Sequence, residues 1–167
     1  MKKGQLLFSA PDSYRKSFDV LAPMSGQVKP LSAASDSLYA KGYFGPGAAI
    51  TSPSSSLKAP FGGICTRVIP LDYAVEIKSS AGLKCLIKYG SDTHQLHGAQ
   101  FSCAIKTGDT FKAGSLLFTV NSSWLKQQGV ENICIMTILN AHALLGVMAT
   151  DRKHVDAVED PLLTLFV

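Results

Sequence analysis

The fold is decided by a short unit that occurs twice in the first half of the chain. It reads Ala22-Pro23-Met24-Ser25-Gly26-Gln27-Val28 at its first occurrence and Ala59-Pro60-Phe61-Gly62-Gly63-Ile64-Cys65 at its second. In each copy the proline ends one strand without needing a ladder hydrogen bond, and the glycine supplies a backbone angle that other residues disfavour. Repeated turn–strand units of this kind predict two similar halves that close against each other.

Further segments extend this pattern. Residues 106–120 read as a hairpin-like turn that runs into a strand, and two alternating runs flank Ser79-Ser80-Ala81-Gly82, which predicts a hairpin turning at residues 79–82. The predicted fold class is all-β: an antiparallel β-sandwich or flattened barrel with duplicated strand–turn halves and minor short helices. Strands are expected at residues 18–21, 48–51, 63–68, 74–78, 85–89, 116–120 and 133–138, and helix at residues 122–127 and after Asn140.

The composition is typical of such a domain and does not indicate a nucleic-acid partner. The chain has 167 residues, of which 46% are apolar and 17% charged, and its net charge is +4. Helix bundles carry more Lys, Glu, Ala and Arg than this. The basic residues are scattered and lack the aromatic-interleaved stripe of a nucleic-acid-binding surface, so no nucleic-acid partner is expected.

The cysteines and histidines do not predict a metal or redox site. Cys65, Cys85, Cys103 and Cys134 form no Cys-x-x-Cys pair, and they are expected to be buried thiols in a reducing compartment. A zinc peptidase of the lysostaphin type would share a duplicated β architecture, but it needs a His-x-His pair that this sequence lacks. No metal and no cofactor are therefore expected.

Residues 1–17 and 133–149 are the segments to consider as a signal peptide and a membrane span. Residues 1–17 are polar and aperiodic and are expected to form a flexible leader, with residues 18–167 as a single domain. The run Leu6-Leu7-Phe8 is too short for the core of a signal peptide. Residues 133–149 are short for a membrane span and polar in the middle, which favours a buried strand followed by a short helix. A cytoplasmic protein without a membrane span is the resulting expectation.

Six blocks of sequence occur in a fixed order after Phe18. They are Ala22-Pro23-Met24-Ser25-Gly26, Leu38-Tyr39-Ala40, Gly45-Pro46-Gly47-Ala48-Ala49-Ile50, Ala59-Pro60-Phe61-Gly62-Gly63, Lys88-Tyr89-Gly90-Ser91-Asp92-Thr93, and Gly108-Asp109-Thr110 followed by Ala113-Gly114. In this order the blocks resemble the glucose-type enzyme IIA domain of the bacterial phosphoenolpyruvate-dependent sugar phosphotransferase system. The resemblance implies that family's β-sandwich, a shallow apolar face, and a role in sugar uptake and its regulation.

Members of that family use two histidines to pass a phosphoryl group from a small histidine phosphocarrier protein to a sugar-specific permease partner. The resemblance places the nucleophile, the first residue of a His-Phe-Gly-Ile-Asp-Thr-like motif, at Lys88, with Gly90, Asp92 and Thr93 as neighbouring motif residues. It places the second histidine, in an Asn-His-Ala-Phe-like motif, at Tyr73. An exposed lysine is almost entirely protonated at pH 7 and offers no lone pair. No catalytic residue of the family is then intact, and phosphoryl transfer is expected to be lost.

The resemblance also implies an apolar face that docks a protein partner, either a phosphotransferase-system component or a regulated enzyme. The residues expected on this face are Leu38, Tyr39, Tyr43, Phe44, Ile69 and Val75, together with Lys41, Lys88 and Tyr73. The family's Gly-Asp-Gly is Gly45-Pro46-Gly47 here, so an acidic group is missing, and a changed partner is expected because charge arrangement selects partners. The predicted function is a non-phosphorylatable, enzyme IIA-like docking or regulatory module, a pseudoenzyme related to sugar uptake.

Two alternatives are distinct from this prediction. His94 or His97, which follow the motif closely, would keep the phosphocarrier active if either served as a relocated phosphoryl acceptor. Biotinyl and lipoyl carriers share Ala-Pro-x-x-Gly turns, but they need a lysine at a hairpin tip, and Lys88 lies within a strand pattern.

The sequence also predicts the relation between the two altered positions. Tyr73 and Lys88 are equidistant from the hairpin at residues 79–82. We therefore expect them to be cross-strand neighbours whose side chains lie close together on one exposed face.

Overall fold

The computed structural model describes residues 4–167, and in that part of the chain the structure is mostly β. Its two α-helices are α1, Ser37–Ala40, and α2, Ser122–Gln127, and single 3₁₀ turns occur at Leu31–Ala33, Pro70–Asp72, His94–Leu96 and Ala141–Ala143. The strands are β1 (Gln5–Leu7), β2 (Ser17–Leu21), β3 (Gly26–Pro30), β4 (Gly47–Thr51), β5 (Ser56–Lys58), β6 (Gly63–Ile69), β7 (Ala74–Ser79), β8 (Lys84–Tyr89), β9 (Ser102–Cys103), β10 (Thr110–Phe111), β11 (Leu116–Thr119), β12 (Ile133–Ile138), β13 (Gly146–Ala149), β14 (His154–Val155) and β15 (Pro161–Phe166).

The largest sheet has eight strands in the order β10-β6-β7-β8-β12-β4-β3-β14, with every neighbouring pair antiparallel. A four-stranded sheet, β1-β13-β15-β2, and a three-stranded sheet, β5-β11-β9, complete the architecture. The main core contains buried side chains from all three sheets, among them Ile50, Ile87, Phe118 and Leu163. The fold is therefore the antiparallel β-sandwich that the sequence predicts.

The duplication is visible in the pairing of the two turn units. Gly26, the fifth residue of the first unit, pairs with Val155, and Gly63, the fifth residue of the second, pairs with Phe111. The large sheet accordingly divides into two four-strand halves that meet at the β8–β12 pair. Both glycines are needed for close approach rather than for a positive φ: a Cβ would lie 2.4 Å from the Thr51 carbonyl oxygen at Gly26, and 2.1 Å from that of Lys78 at Gly63.

The outer face of the large sheet carries a second, smaller core. It contains Ala49, Ala74, Leu86, Ile133 and Ile135, and residues 31–46, which connect β3 to β4, contribute Leu31, Ala34 and Tyr39 to it. Because the middle of the sheet is covered on both faces, its strands are largely buried, and all six residues of β12, including the polar Thr137, are buried.

The predicted strands and helices are confirmed closely. Each of the seven predicted strands lies within one residue of an observed one, α2 occupies residues 122–127, and a 3₁₀ turn follows Asn140. The strands after residue 145 had no counterpart in the sequence prediction.

The prediction of an aperiodic leader at residues 1–17 is wrong where the structure describes it; residues 1–3 lie outside the described part. Gln5–Leu7 form β1, which pairs in parallel with β13, and Ser17 already belongs to β2. Leu7 packs closely on Gly146, where a Cβ would lie 2.4 Å from Leu7 Cδ1. Among residues 4–167, no helix is long and apolar enough to cross a membrane.

Candidate functional site

Lys88, which the sequence resemblance places at the family's nucleophile position, is buried on the outer face of the large sheet. It lies in β8 between Ala74 of β7 and Ile135 of β12, and only 1% of the residue is exposed. Strand alternation explains the placement, because Cys85, Ile87 and Tyr89 belong to the main core while Lys88 points the other way. The expectation of an exposed lysine is therefore wrong.

The Lys88 ammonium is held by two residues of the β3–β4 connection. Its Nζ lies 3.9 Å from Asp36 Oδ2 and 4.7 Å from the centroid of the Tyr39 ring. Burial lowers the pKa of Lys88, and the carboxylates of Asp72, Asp36 and Asp92 oppose this shift. Those three aspartates, rather than a residue at position 46, supply the negative charge around the site.

Asp36 has two roles, and they fix α1 over Lys88. Its Oδ1 caps α1 by accepting a hydrogen bond from the Leu38 amide at 3.1 Å, while its Oδ2 faces the ammonium. One turn later, Tyr39 is buried and stacks on Phe44 with ring centroids 4.5 Å apart. Burial raises the pKa of Tyr39, and the charges of Asp72 and Asp36 raise it further. Tyr39 is therefore a neutral ring that covers the lysine.

Tyr73 does not join Lys88, so the predicted pairing of the two is wrong. Its backbone is left-handed, with φ at 52°, and its side chain is buried in the main core on the opposite face of the sheet. There its ring lies 5.7 Å from that of Phe101, and its hydroxyl donates to the Ala99 carbonyl at 2.5 Å. Desolvation raises the pKa of Tyr73.

The error is one residue of register, and its cause lies in the hairpin. The ladder pairs Lys78 with Lys84, and the Ser79 amide donates to the Leu83 carbonyl, so three residues form the loop instead of the predicted even-numbered turn. The third of them, Gly82, has φ at 93°, as expected of a type I turn followed by a left-handed residue. An odd loop moves every partner by one position, which exchanges the faces of the strand.

The predicted docking face is only partly assembled. Leu38 and Tyr43 are 50% and 74% exposed, and Lys41 is exposed beside them, while Phe44 and Ile69 are half-buried. Tyr39 and Lys88 are buried beneath this surface, and Val75 and Tyr73 belong to the main core. Tyr73 and Val75 are thus excluded from an exposed face, because side chains on alternate strand positions point in opposite directions.

The neighbouring motif residues form the turn after β8. Gly90 and Asp92 both have positive φ, at 82° and 53°. The buried Thr93 hydroxyl donates to the Leu71 carbonyl at 2.8 Å, which ties this turn to the one that precedes β7. The motif therefore shapes the backbone beside Lys88.

Sequence reasoning missed Asp36 and Asp72. Asp72 contacts the exposed His94 through its Oδ1 and the His94 Nε2. His97 is exposed with φ at 55°. The position of Asp36 one residue before a short helix is an N-cap signal, but nothing in its spacing indicates that it reaches β8.

The cysteines are free thiols, with Cys65, Cys85 and Cys134 buried and Cys103 half-buried. Within residues 4–167, no cluster of three or more His, Cys, Asp or Glu side chains is arranged to hold a metal ion. The site is thus built from one lysine, three aspartates, one histidine and apolar rings.

Comparison with known proteins agrees with this sandwich fold. Residues 18–144 match the family described as phosphoenolpyruvate-dependent sugar phosphotransferase system, EIIA 1. The chain belongs to this family. Its fold is similar to that of glucose permease IIA from Mycoplasma capricolum, with a TM-score of 0.78 and 23% sequence identity over 90% of this chain and 96% of that chain.

Proposed function

We propose that this chain is a cytoplasmic, bacterial enzyme IIA-type protein that docks a protein partner in sugar uptake or its regulation and does not carry a phosphoryl group itself. The observation that carries the proposal is Lys88. An amine stands where the family's histidine nucleophile would stand, and it is buried under Asp36 and Tyr39. An incoming phosphoryl group would meet a carboxylate and a ring before it could reach nitrogen.

Burial changes the reason why Lys88 is a poor acceptor. A lowered pKa increases the neutral fraction of the amine, so protonation alone excludes transfer less strongly than it would for an exposed lysine. Access supplies the stronger argument, because in-line attack needs the nucleophile within about 3–3.5 Å of phosphorus. The second histidine of the family has no replacement here, since Tyr73 lies on the other face.

The exposed surface above Lys88 supports docking. Leu38 and Tyr43 are large apolar side chains that remain accessible, and Leu71 on the adjoining turn is 45% exposed. Lys41 adds a positive charge to the same surface. An apolar patch with a charged rim is typical of a transient protein interface. The partner proposed is another protein of the phosphotransferase system or an enzyme that the system regulates.

Phosphoryl transfer tests the proposal directly. The protein is incubated with phosphoenolpyruvate, enzyme I and the histidine phosphocarrier, and intact mass and labelled phosphate report the product. We expect no phosphorylated species under conditions that fully phosphorylate an enzyme IIA domain with both histidines. A stoichiometric acid-labile phosphoryl group would refute the proposal.

A second candidate function, an active phosphocarrier with a relocated acceptor, is favoured by one contact. Asp72 faces His94 Nε2, and a carboxylate on one imidazole nitrogen orients the ring and leaves the other nitrogen free to attack. His94 is also exposed, so a partner can reach it. Under this alternative the protein is phosphorylated, His94→Gln abolishes the labelling, and His97→Gln leaves it intact.

A further inference from the structure

Residues 36–44, called the cover segment below, lie over Lys88 and are anchored at both ends. On one side Leu31 and Ala34 are buried in the smaller core on the outer face of the large sheet, called the outer core below. On the other side Gly45 is pressed against β12, where a Cβ would lie 2.0 Å from the Ile138 carbonyl oxygen. Long connections inside compact domains are commonly functional. Between these anchors, the cover segment contacts the sheet through side chains and not through backbone hydrogen bonds.

Two opposing effects determine how firmly the cover segment is held. Tyr39 and Phe44 stack on each other and pack on the outer core, which favours closure. Closure also buries the Lys88 ammonium, whose ion pair with Asp36 spans 3.9 Å and is therefore longer than a hydrogen bond. Removing an ammonium from water without replacing its hydrogen bonds is costly.

We propose that the cover segment is a hinged lid that opens away from Lys88, and that its opening presents the outer apolar face of the sheet. Lys88 sets the balance between the closed and the open state of the lid. Its burial weakens the closed state, and Asp36 together with the Tyr39 ring offsets part of that cost. Opening would uncover Ala74, Leu86 and Ile135 around a hydrated ammonium.

Local backbone geometry fits this motion. Gly42 has φ at 79°, and a Cβ added to it would meet no atom within 4 Å, so the chain there is unhindered. The lid amides are bonded only within the segment, as in Lys41 to the Ser37 carbonyl and Tyr43 to the Leu38 carbonyl, both at 3.0 Å. Opening can therefore leave every ladder of the sheet intact. The single turn of α1 is unstable in water without its packing, so these local bonds break when the lid opens.

The inference goes beyond the proposed function, which places docking on the exposed surface formed by Leu38, Lys41 and Tyr43. The lid itself is independent of whether the protein accepts a phosphoryl group. Binding regulated by an internal lid requires only that the partner prefers the open state.

Amide hydrogen exchange by NMR on the full chain, with and without phosphorylating conditions, tests the lid. In the wild type we expect the amides of Lys41 and Tyr43 to exchange at least about ten-fold faster than that of Tyr89, and to be insensitive to low denaturant. Exchange of the lid amides only through global unfolding would overturn the proposal. Any phosphorylation seen in the parallel sample would refute the proposed function and not the lid.

Two variants should shift the lid in opposite directions. Asp36→Asn keeps an N-cap residue but removes the ion pair, so lid exchange should rise about five-fold, as for loss of a weak ion pair. Lys88→Met keeps a long side chain under Tyr39 and removes the buried charge, so lid exchange should fall by a similar factor. Lys41→Met, at an exposed lysine of the same segment, is the matched control and should change nothing. Equal rates in all variants, or faster exchange in Lys88→Met, would contradict the role given to Lys88.

Discussion

Ala74, and not Tyr73, lies directly across from Lys88 in the β7–β8 ladder. The pairing places a methyl group beside the lysine on the outer face and sends the Tyr73 ring into the main core. The two positions at which the resemblance places the family's histidines are thus on opposite faces of the sheet. Restoring both histidines would not restore a facing pair.

The first prediction concerns that failed restoration. Lys88→His should accept phosphoryl groups from the histidine phosphocarrier slowly at most, even though a neutral imidazole is then available. The reason is that Asp36 and Tyr39 still cover position 88 and no second imidazole faces it. Labelled phosphate in the presence of enzyme I and the phosphocarrier measures the rate. Transfer as fast as in an enzyme IIA domain with both histidines would show that the cover does not obstruct the site.

The second prediction treats Tyr73 as a core residue. Tyr73→Phe keeps the ring and leaves the Ala99 carbonyl without its donor, so the free energy of unfolding should fall by about 1 kcal/mol. Tyr73→His should cost more, because it also removes apolar volume from a fully buried site. Urea denaturation gives both values. Unchanged stability in both variants would place the side chain elsewhere.

The third prediction is a pH dependence that belongs to Lys88. Because burial lowers its pKa in the folded state, the unfolded chain binds a proton that the folded chain has lost between that lowered value and about 10.4, the ordinary value for lysine. The stability of the wild type relative to Lys88→Met should therefore rise with pH across this window. Asp36, Asp72 and Asp92 are present in both proteins, so the comparison isolates Lys88.

Urea denaturation of the two proteins in parallel, from pH 7 upward, measures this difference. Tyrosines and thiols with raised pKa values titrate alike in both chains, so their contribution cancels. A difference that stays flat with pH would mean that Lys88 titrates as a hydrated amine.

The fourth prediction concerns the docking surface. Leu38→Ser and Tyr43→Ser should each weaken binding of the cognate partner by about five-fold or more, as expected for exposed apolar contacts that become buried on binding. Leu116→Ser is the control, because Leu116 is similarly exposed on β11, in the three-stranded sheet. Titration of the labelled protein with candidate phosphotransferase-system proteins reads out the affinity. An equal loss of affinity at all three positions would show that the partner does not bind specifically at Leu38 and Tyr43.

The fifth prediction concerns the loop that sets the register. Gly82→Ala should lower the free energy of unfolding by about 1 kcal/mol, since φ at 93° strains any side-chain-bearing residue. The surroundings are open, so the cost comes from the backbone alone. Gly62→Ala makes a matched control at a glycine outside the left-handed region and should be close to neutral. Thermal or urea denaturation compares the two, and an equal cost at both glycines would contradict the backbone argument.

The strands and turns of the sandwich could be predicted from the sequence because the patterns that specify them are local. The alternation of residues 74–78, the apolar run at 133–138 and the Ala-Pro turns each specify a strand or a turn without reference to the rest of the chain. β1 was missed because it pairs with β13, far along the chain, where Leu7 packs on Gly146. Such long-range accommodation leaves no periodic pattern.

The site was less accessible to sequence reasoning, for a related reason. Lys88 was assigned to the correct strand, but its exposure and its neighbour depended on whether the loop after Ser79 has an even or an odd number of residues. Gly82 as the third residue of a three-residue loop was the available signal. The contact of Asp36 with Lys88 joins a loop to a strand and had no signal at all.

The two halves of the large sheet meet at the β8–β12 pair, which is the centre of the scaffold. The proposed docking surface lies outside the sheets, on the connection between β3 and β4. Residues that border the β8–β12 pair are fixed by ladders from both halves, so they leave little freedom for alteration. Residues 31–46 contribute no strand to any sheet, yet they present Leu38, Lys41 and Tyr43. An engineer who wished to redirect the protein to another partner could therefore exchange this one connection, keep its buried anchors, and retain the sandwich unchanged.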